Sequence, residues 1–264
     1  MNDGKRQRHE PPRNHKKEEN PADPAGASRR AKISVFVRNF RGARGYDLVV
    51  RDENASVQDY LDALTEAIAT LPLTRLSRRR QDCFGCDRCC AERAPLTAVD
   101  CRFLMKATGE RDPGAFLEKY ASVSVDGPVV DIVLKPGGNG RCVFLDRQTK
   151  LCRVYDSRPL VCRTYICSPA ARRALALRAA VVNKGEDELV RLWFKTGMVI
   201  HQARNPRPDL RDWPPTPFAG KKSYREVLLR EVLPSGLWRR IAAPSHTAQK
   251  SAVKDDPREG REIV

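Results

Sequence analysis

Eight of the nine cysteines fall into two groups whose spacing suits metal binding. The first group has four thiols within eight residues, and the second follows about fifty residues later. Their members are Cys83, Cys86, Cys89 and Cys90 in the first group and Cys142, Cys152, Cys162 and Cys167 in the second. Thiolate sulfur binds zinc and iron, and two intervening residues let consecutive sulfurs face one centre. These residues therefore predict thiolate coordination of a metal.

Several kinds of thiolate centre are compatible with this spacing. Residues 83–89 give C-x2-C-x2-C, the spacing of the first three ligands in bacterial ferredoxin loops, whereas radical-SAM loops have three residues in the first gap. The adjacent side chains of Cys89 and Cys90 diverge in extended or helical backbone, which does not suit one mononuclear ion. Three arrangements remain open: one four-cysteine iron–sulfur cluster with spare thiols, two four-cysteine zinc sites, or a single polynuclear centre.

Disulfide bonds and thiol redox chemistry are competing interpretations of the same residues. The sequence has no apolar run long enough to span a membrane, and residues 1–30 lack the apolar stretch of a secretory signal. We therefore predict a cytoplasmic protein, whose reducing surroundings favour metal-bound cysteines over disulfides. A redox C-x2-C opens a helix in a thioredoxin-type βαβ pattern, and the sequence around the first group lacks that pattern.

Two further residues of metal-binding type are predicted to have other roles. Cys101 follows the predicted helix cap Thr97, at the position that packs against Leu96 in a hydrophobic staple. We therefore expect Cys101 to be a buried apolar residue. His201 is the one histidine between residues 31 and 242, and we expect a surface position or a hydrogen-bonded core position for it.

The cysteines stand in a longer pattern that is typical of a known family. The octet C-x-x-C-x-x-C-C is followed by a cysteine with Phe-Leu close after it, and then by C-x-V-Y-x-x-R-P-x-x-C-R, all within residues 83–167. This pattern resembles the YkgJ-type cysteine-cluster family, whose domain is described as zinc- or iron-chelating. The resemblance implies a ligand set of Cys83, Cys86, Cys89, Cys90, Cys142, Cys152 and Cys162, with Cys167 as an eighth member.

Residues other than cysteine complete the expected centre. Family members commonly have glycine directly after the second cysteine of the octet, where this chain has Asp87. A glycine there would permit a left-handed turn or leave an amide free to face a sulfur, and aspartate tolerates left-handed backbone at modest cost. We expect Phe144 and Tyr155 to form a dry shell over the metal. Two roles are open for Arg158 and Arg163: donation to sulfur or nearby carbonyls, which would offset part of its negative charge, or an ordinary surface position.

The charge balance is strongly basic and admits a second kind of partner. The 264 residues include 49 Lys or Arg and 33 Asp or Glu, which gives a formal net charge of +16. The densest basic run comprises Arg75, Arg78, Arg79 and Arg80. We predict weak binding of nucleic acid or another polyanion through this run, with an unidentified protein as a further partner. The chain lacks the aromatic and basic signature of RNA-binding sheets.

Composition divides the chain into five predicted regions. Both ends are charged and poor in large apolar residues, which is typical of disordered tails. Between them we predict a ββα unit, a cysteine-cluster metal-binding domain, and C-terminal helices packed on that domain. In order, the regions are 1–30, 31–77, 78–170, 171–242 and 243–264.

Hydrophobic periodicity and helix caps predict the elements that position the cysteines. Ser56 with Asp59, and Thr97 with Asp100, are typical capping boxes at helix starts. The strands are predicted over 33–39, 46–52 and 129–134, and the helices over 57–71, 98–108, 113–120, 168–182 with Ser168 and Pro169 at its start, 185–198, and 223–234 with a capping box of Ser223 and Glu226. Strands and helices do not alternate regularly, so the predicted class is α+β.

Two functional alternatives accompany the metal-binding prediction. The first is a zinc-stapled basic module that binds nucleic acid or an acidic protein. The second is a metal-dependent protein lysine N-methylase, because flagellin lysine N-methylases carry a similar cysteine octet. The sequence shows no glycine-rich loop for S-adenosylmethionine and no acid/base pair near the motif, so no catalytic residue is predicted.

Overall fold

The computed structural model describes residues 31–75, 87–126, 129–138, 140–196 and 209–243. Within these ranges the chain forms an α+β fold with seven α-helices and two separate two-stranded sheets. No helix in these ranges has the length and apolar character needed to cross a membrane. Several predicted features lie outside the described residues, namely both tails beyond residues 31 and 243, Cys83, Cys86, Arg78, Arg79, Arg80 and His201.

The predicted N-terminal hairpin is present. Strand β1 (Ile33–Phe40) pairs antiparallel with strand β2 (Ala43–Val50) along their whole length. The two residues between them, Arg41 and Gly42, have φ values of 45° and 87°. Positive φ at both positions is typical of a type I′ turn, whose twist matches that of the paired strands. Because this turn is so tight, the strands continue into the segment that was predicted to be a loop.

Two helices begin where the capping boxes predict them. Helix α1 (Val57–Thr70) is capped by Ser56, and helix α2 (Ala98–Thr108) is capped by Thr97. In each, the hydroxyl accepts a hydrogen bond from the backbone three residues on, and the carboxylate there accepts one from the cap backbone. Gly109 ends α2 in the left-handed conformation, with φ of 74°. These bonds satisfy backbone groups that a helix leaves unpaired at its ends.

Between α2 and the second cysteine group the chain forms one predicted helix, one predicted strand and one unpredicted strand. Helix α3 (Pro113–Tyr120) begins after Asp112, whose carboxylate accepts from the backbone of its first turn. Strand β3 (Ala121–Asp126) pairs antiparallel with strand β4 (Val129–Leu134). Strand β3 was not predicted, because half of its six residues are polar and only Ala121 is buried.

One long helix replaces the two that were predicted after the second cysteine group. Helix α5 (Arg172–Lys195) passes through Gly185 without a break. A Cβ atom on this glycine would lie 2.5 Å from Cγ2 of Thr97. The prediction of a second helix starting at Gly185 is wrong, because this glycine lets α5 pack closely on the cap of α2 and does not end a helix.

The predicted start of that helix is also wrong. Helix α5 begins after Ala171, which makes no side-chain capping bond. Ser168 and Pro169 lie before the helix, in a connection that runs beside strand β2. There the Tyr46 N–H donates to the Pro169 carbonyl at 2.9 Å, and the Ala171 N–H donates to the Tyr46 carbonyl at 2.9 Å. Pairing with β2 therefore delays the start of the helix.

The C-terminal segment forms short pieces instead of the single helix predicted over 223–234. Its capping box is absent, because the Ser223 hydroxyl donates to the Glu226 carboxylate at 2.9 Å and makes no bond to the backbone of the turn. The backbone that follows pairs with the start of α1, where the Val57 N–H donates to the Val227 carbonyl at 2.8 Å. Two short helices complete the fold, α6 (Leu229–Val232) and α7 (Ser235–Ile241).

One core cluster draws side chains from the hairpin, the cysteine region and the C-terminal segment. Its largest fully buried side chains include Tyr46, Tyr60, Phe116, Phe218 and Tyr224. Helices α1, α2 and α5 supply much of this core, and we call these three helices the helical frame. The division of the chain at residues 77 and 170 stays a prediction.

Candidate metal centre

Six of the described cysteines line a single cavity of about 70 Å³. We call it the thiol cavity, and its cysteines are Cys89, Cys90, Cys142, Cys152, Cys162 and Cys167. This volume holds several water-sized groups, so the cavity is larger than a packing defect. The structure thus brings six of the eight predicted ligands to one place, although they come from distant parts of the sequence. None of the described cysteines is in a disulfide.

The first wall of the cavity is a 3-10 turn, Arg88–Ala91, which carries Cys89 and Cys90. The Cys90 N–H donates to the Asp87 carbonyl at 3.1 Å. Asp87 has φ of −105°, so this position does not use the left-handed backbone that the family glycine suggested. The Arg141 guanidinium donates to the Asp87 carbonyl at 2.6 Å and contacts its carboxylate at 3.4 Å. The turn is thereby fastened to the second cysteine group.

The second wall is the loop of residues 140–154, which carries Cys142 and Cys152. The Cys142 N–H donates to the Cys90 carbonyl at 2.7 Å, which joins this loop to the first wall. Each of the two sulfurs accepts a hydrogen bond from the backbone two residues on. The Phe144 N–H lies 3.5 Å from Sγ of Cys142, and the Val154 N–H donates to Sγ of Cys152. Such bonds stabilise the thiolate form, which is the form that binds metal.

The third wall is helix α4 (Leu160–Thr164) with the residues that follow it. This five-residue helix carries Cys162, and Cys167 lies between it and α5. Pro159 precedes the helix and provides no side-chain capping bond. The Thr164 hydroxyl donates to the Leu160 carbonyl at 2.9 Å, so the single turn is closed on itself.

Cys89 and Cys90 differ in acidity because they are hydrogen-bonded to each other. The Cys90 thiol donates to the Cys89 sulfur, which lowers the pKa of Cys89 to about 7. The same bond holds the proton on Cys90 and raises its pKa. Of the two thiols, Cys89 therefore loses its proton first.

Three further thiols of the cavity, those of Cys142, Cys152 and Cys162, favour the protonated form. Burial raises the pKa of Cys142, of Cys152 and, most strongly, of Cys162. Charge on Cys89 raises all three further, and Cys162 also responds to charge on Cys142 and Cys152. These sulfurs are therefore close enough to affect each other's ionisation. A cation in the cavity would reverse this effect and favour several thiolates at once.

Basic and aromatic side chains complete the lining. Arg88, Lys150 and Arg158 line the cavity together with a single acidic residue, Glu92. The Arg158 guanidinium lies over the Tyr155 ring at 4.0 Å, and charge on Arg158 lowers the pKa of Cys152 against the larger effect of burial. Arg88, Lys150 and Tyr165 also line the cavity and were not predicted to do so. No spacing rule marks them, because turns and backbone bonds bring them to the site.

The other predicted auxiliary residues fall into two classes. Phe144 and Tyr155 line the cavity as the dry-shell prediction requires, and Phe144 stacks on Tyr120 with ring centres 5.0 Å apart. Arg163 does not line the cavity. Burial lowers its pKa, the charges of Tyr224, Asp62 and Asp100 oppose this effect, and the charge of Arg158 adds to it. The prediction that Arg163 offsets charge at the metal therefore lacks support from this geometry.

Cys101 and Arg75 lie away from the cavity. Cys101 is buried in the core cluster on α2, and it is absent from the cavity lining, as its position in the staple pattern predicts. Arg75 is the one described member of the predicted basic run. Its guanidinium donates to the Ile68 carbonyl at 3.1 Å, near the end of α1. Polyanion binding through this run stays a prediction.

The donor set fits zinc or iron by its chemistry. Six thiols around one cavity provide the soft ligands that these metals take in proteins. As the side chains are placed, however, no three His, Cys, Asp or Glu donors in the described part of the chain are arranged to hold one ion. The described sulfurs therefore share a cavity without forming a finished coordination shell, and the two remaining predicted ligands belong to residues 76–86.

Comparison with known proteins identifies the same region. Residues 82–185 match the sequence model of the CxxCxxCC family, described as a putative zinc- or iron-chelating domain. The chain therefore carries a CxxCxxCC domain, which contains all eight predicted ligands together with α2, α3 and the first part of α5. No curated protein and no solved structure gives a significant match.

Proposed function

We propose that this protein binds a single thiolate-ligated metal centre, an iron–sulfur cluster or zinc, in the thiol cavity. The main support for the proposal is the location of the cysteines in the fold. Six of the seven described ones line one cavity, whereas Cys101 belongs to the core cluster and does not line it. Cysteines kept only as small apolar residues would not gather around one partly open space.

The number of thiols favours a centre with more than one metal ion. A mononuclear zinc site takes four ligands, and the cavity alone offers six sulfurs, to which Cys83 and Cys86 would be added. A polynuclear centre, or a four-cysteine iron–sulfur cluster with spare thiols, uses this set best. When bound, the metal would supply either a fixed cross-link between the walls or one-electron chemistry.

The chain's own residues prepare the cavity for such a centre. Backbone N–H groups of Phe144 and Val154 point at two of the sulfurs and favour their thiolate forms. Phe144 is almost fully buried and excludes water from one side. Arg158 places positive charge beside Cys89 and Cys152, which offsets part of the charge of several thiolates.

Elemental analysis of protein purified without oxygen tests the proposal. We expect iron or zinc in stoichiometric amounts. A brown colour that bleaches with dithionite would identify an iron–sulfur cluster, and colourless protein with zinc would identify a zinc centre. Alkylation with iodoacetamide, read by mass spectrometry before and after chelation, should show that the metal protects the cavity cysteines. Protein without iron or zinc, or with equal alkylation in both states, would overturn the proposal.

A further inference from the structure

Asp100 joins three separate segments of the chain through one buried carboxylate. Its exposed fraction is only 1%. Oxygen Oδ2 accepts from the Thr97 N–H at 2.9 Å, which is the return bond of the α2 capping box. Oxygen Oδ1 accepts from the Leu160 N–H at 2.8 Å and from the Tyr224 hydroxyl at 2.5 Å. Oxygen Oδ1 therefore accepts two hydrogen bonds that the cap of α2 does not require.

The bond to Leu160 caps the helix that carries a cavity thiol. Leu160 is the first residue of α4, and its N–H has no partner within that helix. Pro159, the residue before it, offers no side-chain acceptor, and Asp100 fills that role from α2. Cys162 lies two residues further on and lines the cavity. The direction of this single helical turn is thus set by Asp100.

Tyr224 holds the carboxylate from the other side. Its ring is buried, and since its proton bonds Asp100, the Thr97 hydroxyl donates to its oxygen at 2.8 Å. A buried carboxylate is costly unless donors satisfy it, so the loss of the Tyr224 hydroxyl leaves Oδ1 with one donor less. Tyr224 also lies beyond residues 82–185, in the C-terminal segment.

We propose that Asp100 is a positioning residue for Cys162, and that Tyr224 fixes Asp100 in the orientation that this role requires. The inference rests on the proposed metal centre. The C-terminal segment then contributes to metal retention without touching the metal. Residues that orient ligands in this way typically change metal affinity about 10- to 100-fold when they are replaced.

The experiment compares metal retention and the spectrum of the bound metal across four variants. Asp100→Asn removes the charge but keeps the shape, and Tyr224→Phe removes a single hydroxyl. Tyr60→Phe is the matched control, because Tyr60 is fully buried and its hydroxyl has no hydrogen-bond partner among the described residues. Val181→Ala is the stability control, since this fully buried residue of α5 does not line the cavity.

Retention is measured as the chelator concentration that removes half of the metal. We expect about 10- to 100-fold lower retention in Asp100→Asn and severalfold lower retention in Tyr224→Phe. In both variants the absorption spectrum of the bound metal should shift. The spectrum is that of the native chromophore if the metal is iron, and that of the cobalt-substituted protein if it is zinc. Tyr60→Phe should match the wild type, and Val181→Ala should lower the melting temperature with the wild-type spectrum.

The outcomes separate this inference from the proposed function. A wild-type protein without metal would overturn the metal centre itself. A metal-loaded wild type, with unchanged retention and spectrum in Asp100→Asn and Tyr224→Phe, would overturn the positioning role alone. Equal loss of retention in Val181→Ala would also overturn it, because general stability would then explain the effect. If Asp100→Asn does not fold, the retention and spectrum of Tyr224→Phe decide whether the positioning role holds.

Discussion

The helical frame and the walls of the thiol cavity both contain cysteine, but in different surroundings. In the frame, α1 and α2 begin at capping boxes, and Cys101 is packed among apolar neighbours. The walls are a 3-10 turn, a loop and a five-residue helix, joined largely by backbone hydrogen bonds such as that from Cys142 to Cys90. The comparison teaches that stability resides mainly in the frame, whereas the walls keep thiols available for chemistry.

The largest effect that separates the two regions is expected from alanine at one cysteine in each. Cys162→Ala removes a cavity thiol, so metal content should fall to near zero while the frame stays folded. Cys101→Ala should keep the wild-type metal content and lower the free energy of unfolding by roughly 1 kcal/mol, because a small core void is left. Metal analysis and urea unfolding measure the pair. Metal loss in both variants alike would erase the distinction.

A smaller effect is expected where α5 packs on α2. In Gly185→Ala the new methyl group would lie 2.5 Å from Cγ2 of Thr97, a buried cap that cannot move without losing its hydrogen bonds. Overpacking costs about 1–3 kcal/mol, which exceeds the gain of about 1 kcal/mol in helix propensity. We expect a net loss of up to about 2 kcal/mol in urea unfolding, with unchanged metal per folded chain.

Gly236→Ala provides the matched control for that substitution. Gly236 lies in α7, and nothing approaches the position of its Cβ within 4 Å. This variant should be neutral or slightly stabilising, because only the propensity gain remains. If both glycine variants behave alike, the close contact between α5 and α2 is not what requires glycine at position 185.

The smallest effect concerns a carboxyl group of the frame. Burial raises the pKa of Glu186 to about 7, although Arg93 and the Ile132 N–H act in the opposite direction. The folded state therefore holds this proton more tightly than the unfolded chain, so the group stabilises the fold below pH 4.5 and that contribution is lost as pH rises through 7.

Glu186→Gln measures this contribution directly. In metal-free protein, the free energy of unfolding of the wild type relative to Glu186→Gln should fall by about 1–2 kcal/mol between pH 5 and pH 8, because each unit of the shift is worth about 1.4 kcal/mol and solvent screening reduces the full value. The difference between the two proteins cancels the titration of the thiols, which both contain. Parallel pH profiles would show that Glu186 keeps an ordinary pKa in the folded state.

Elements with local signals could be predicted from the sequence, and elements set by distant contacts could not. The boxes at Ser56 and Thr97 place α1 and α2 correctly, because caps act over three residues. The break at Gly185 and the helix over 223–234 were wrong because tertiary contacts decide both. Gly185 lies in close contact with Thr97, where a larger residue would not fit. The backbone near Val227 pairs with the start of α1 and therefore does not continue as a helix.

The candidate site divides in the same way. The spacing of the cysteines identified the set, and the structure brings its six described members to one cavity. Their role as ligands stays a prediction. The sequence also marked Asp100 as a capping residue, but no local rule indicated that its second oxygen bonds Leu160 and Tyr224, which are 60 and 124 residues away.

The bond between Val57 and Val227 has a consequence for biosynthesis. Val227, whose carbonyl accepts from the start of α1, is synthesised about sixty residues after Cys167. At roughly 5–20 residues per second, that interval lasts on the order of several seconds. During it, the cavity thiols are already synthesised while Tyr224 and Val227 are not, so the contacts of these two residues form only after the cysteine region is complete.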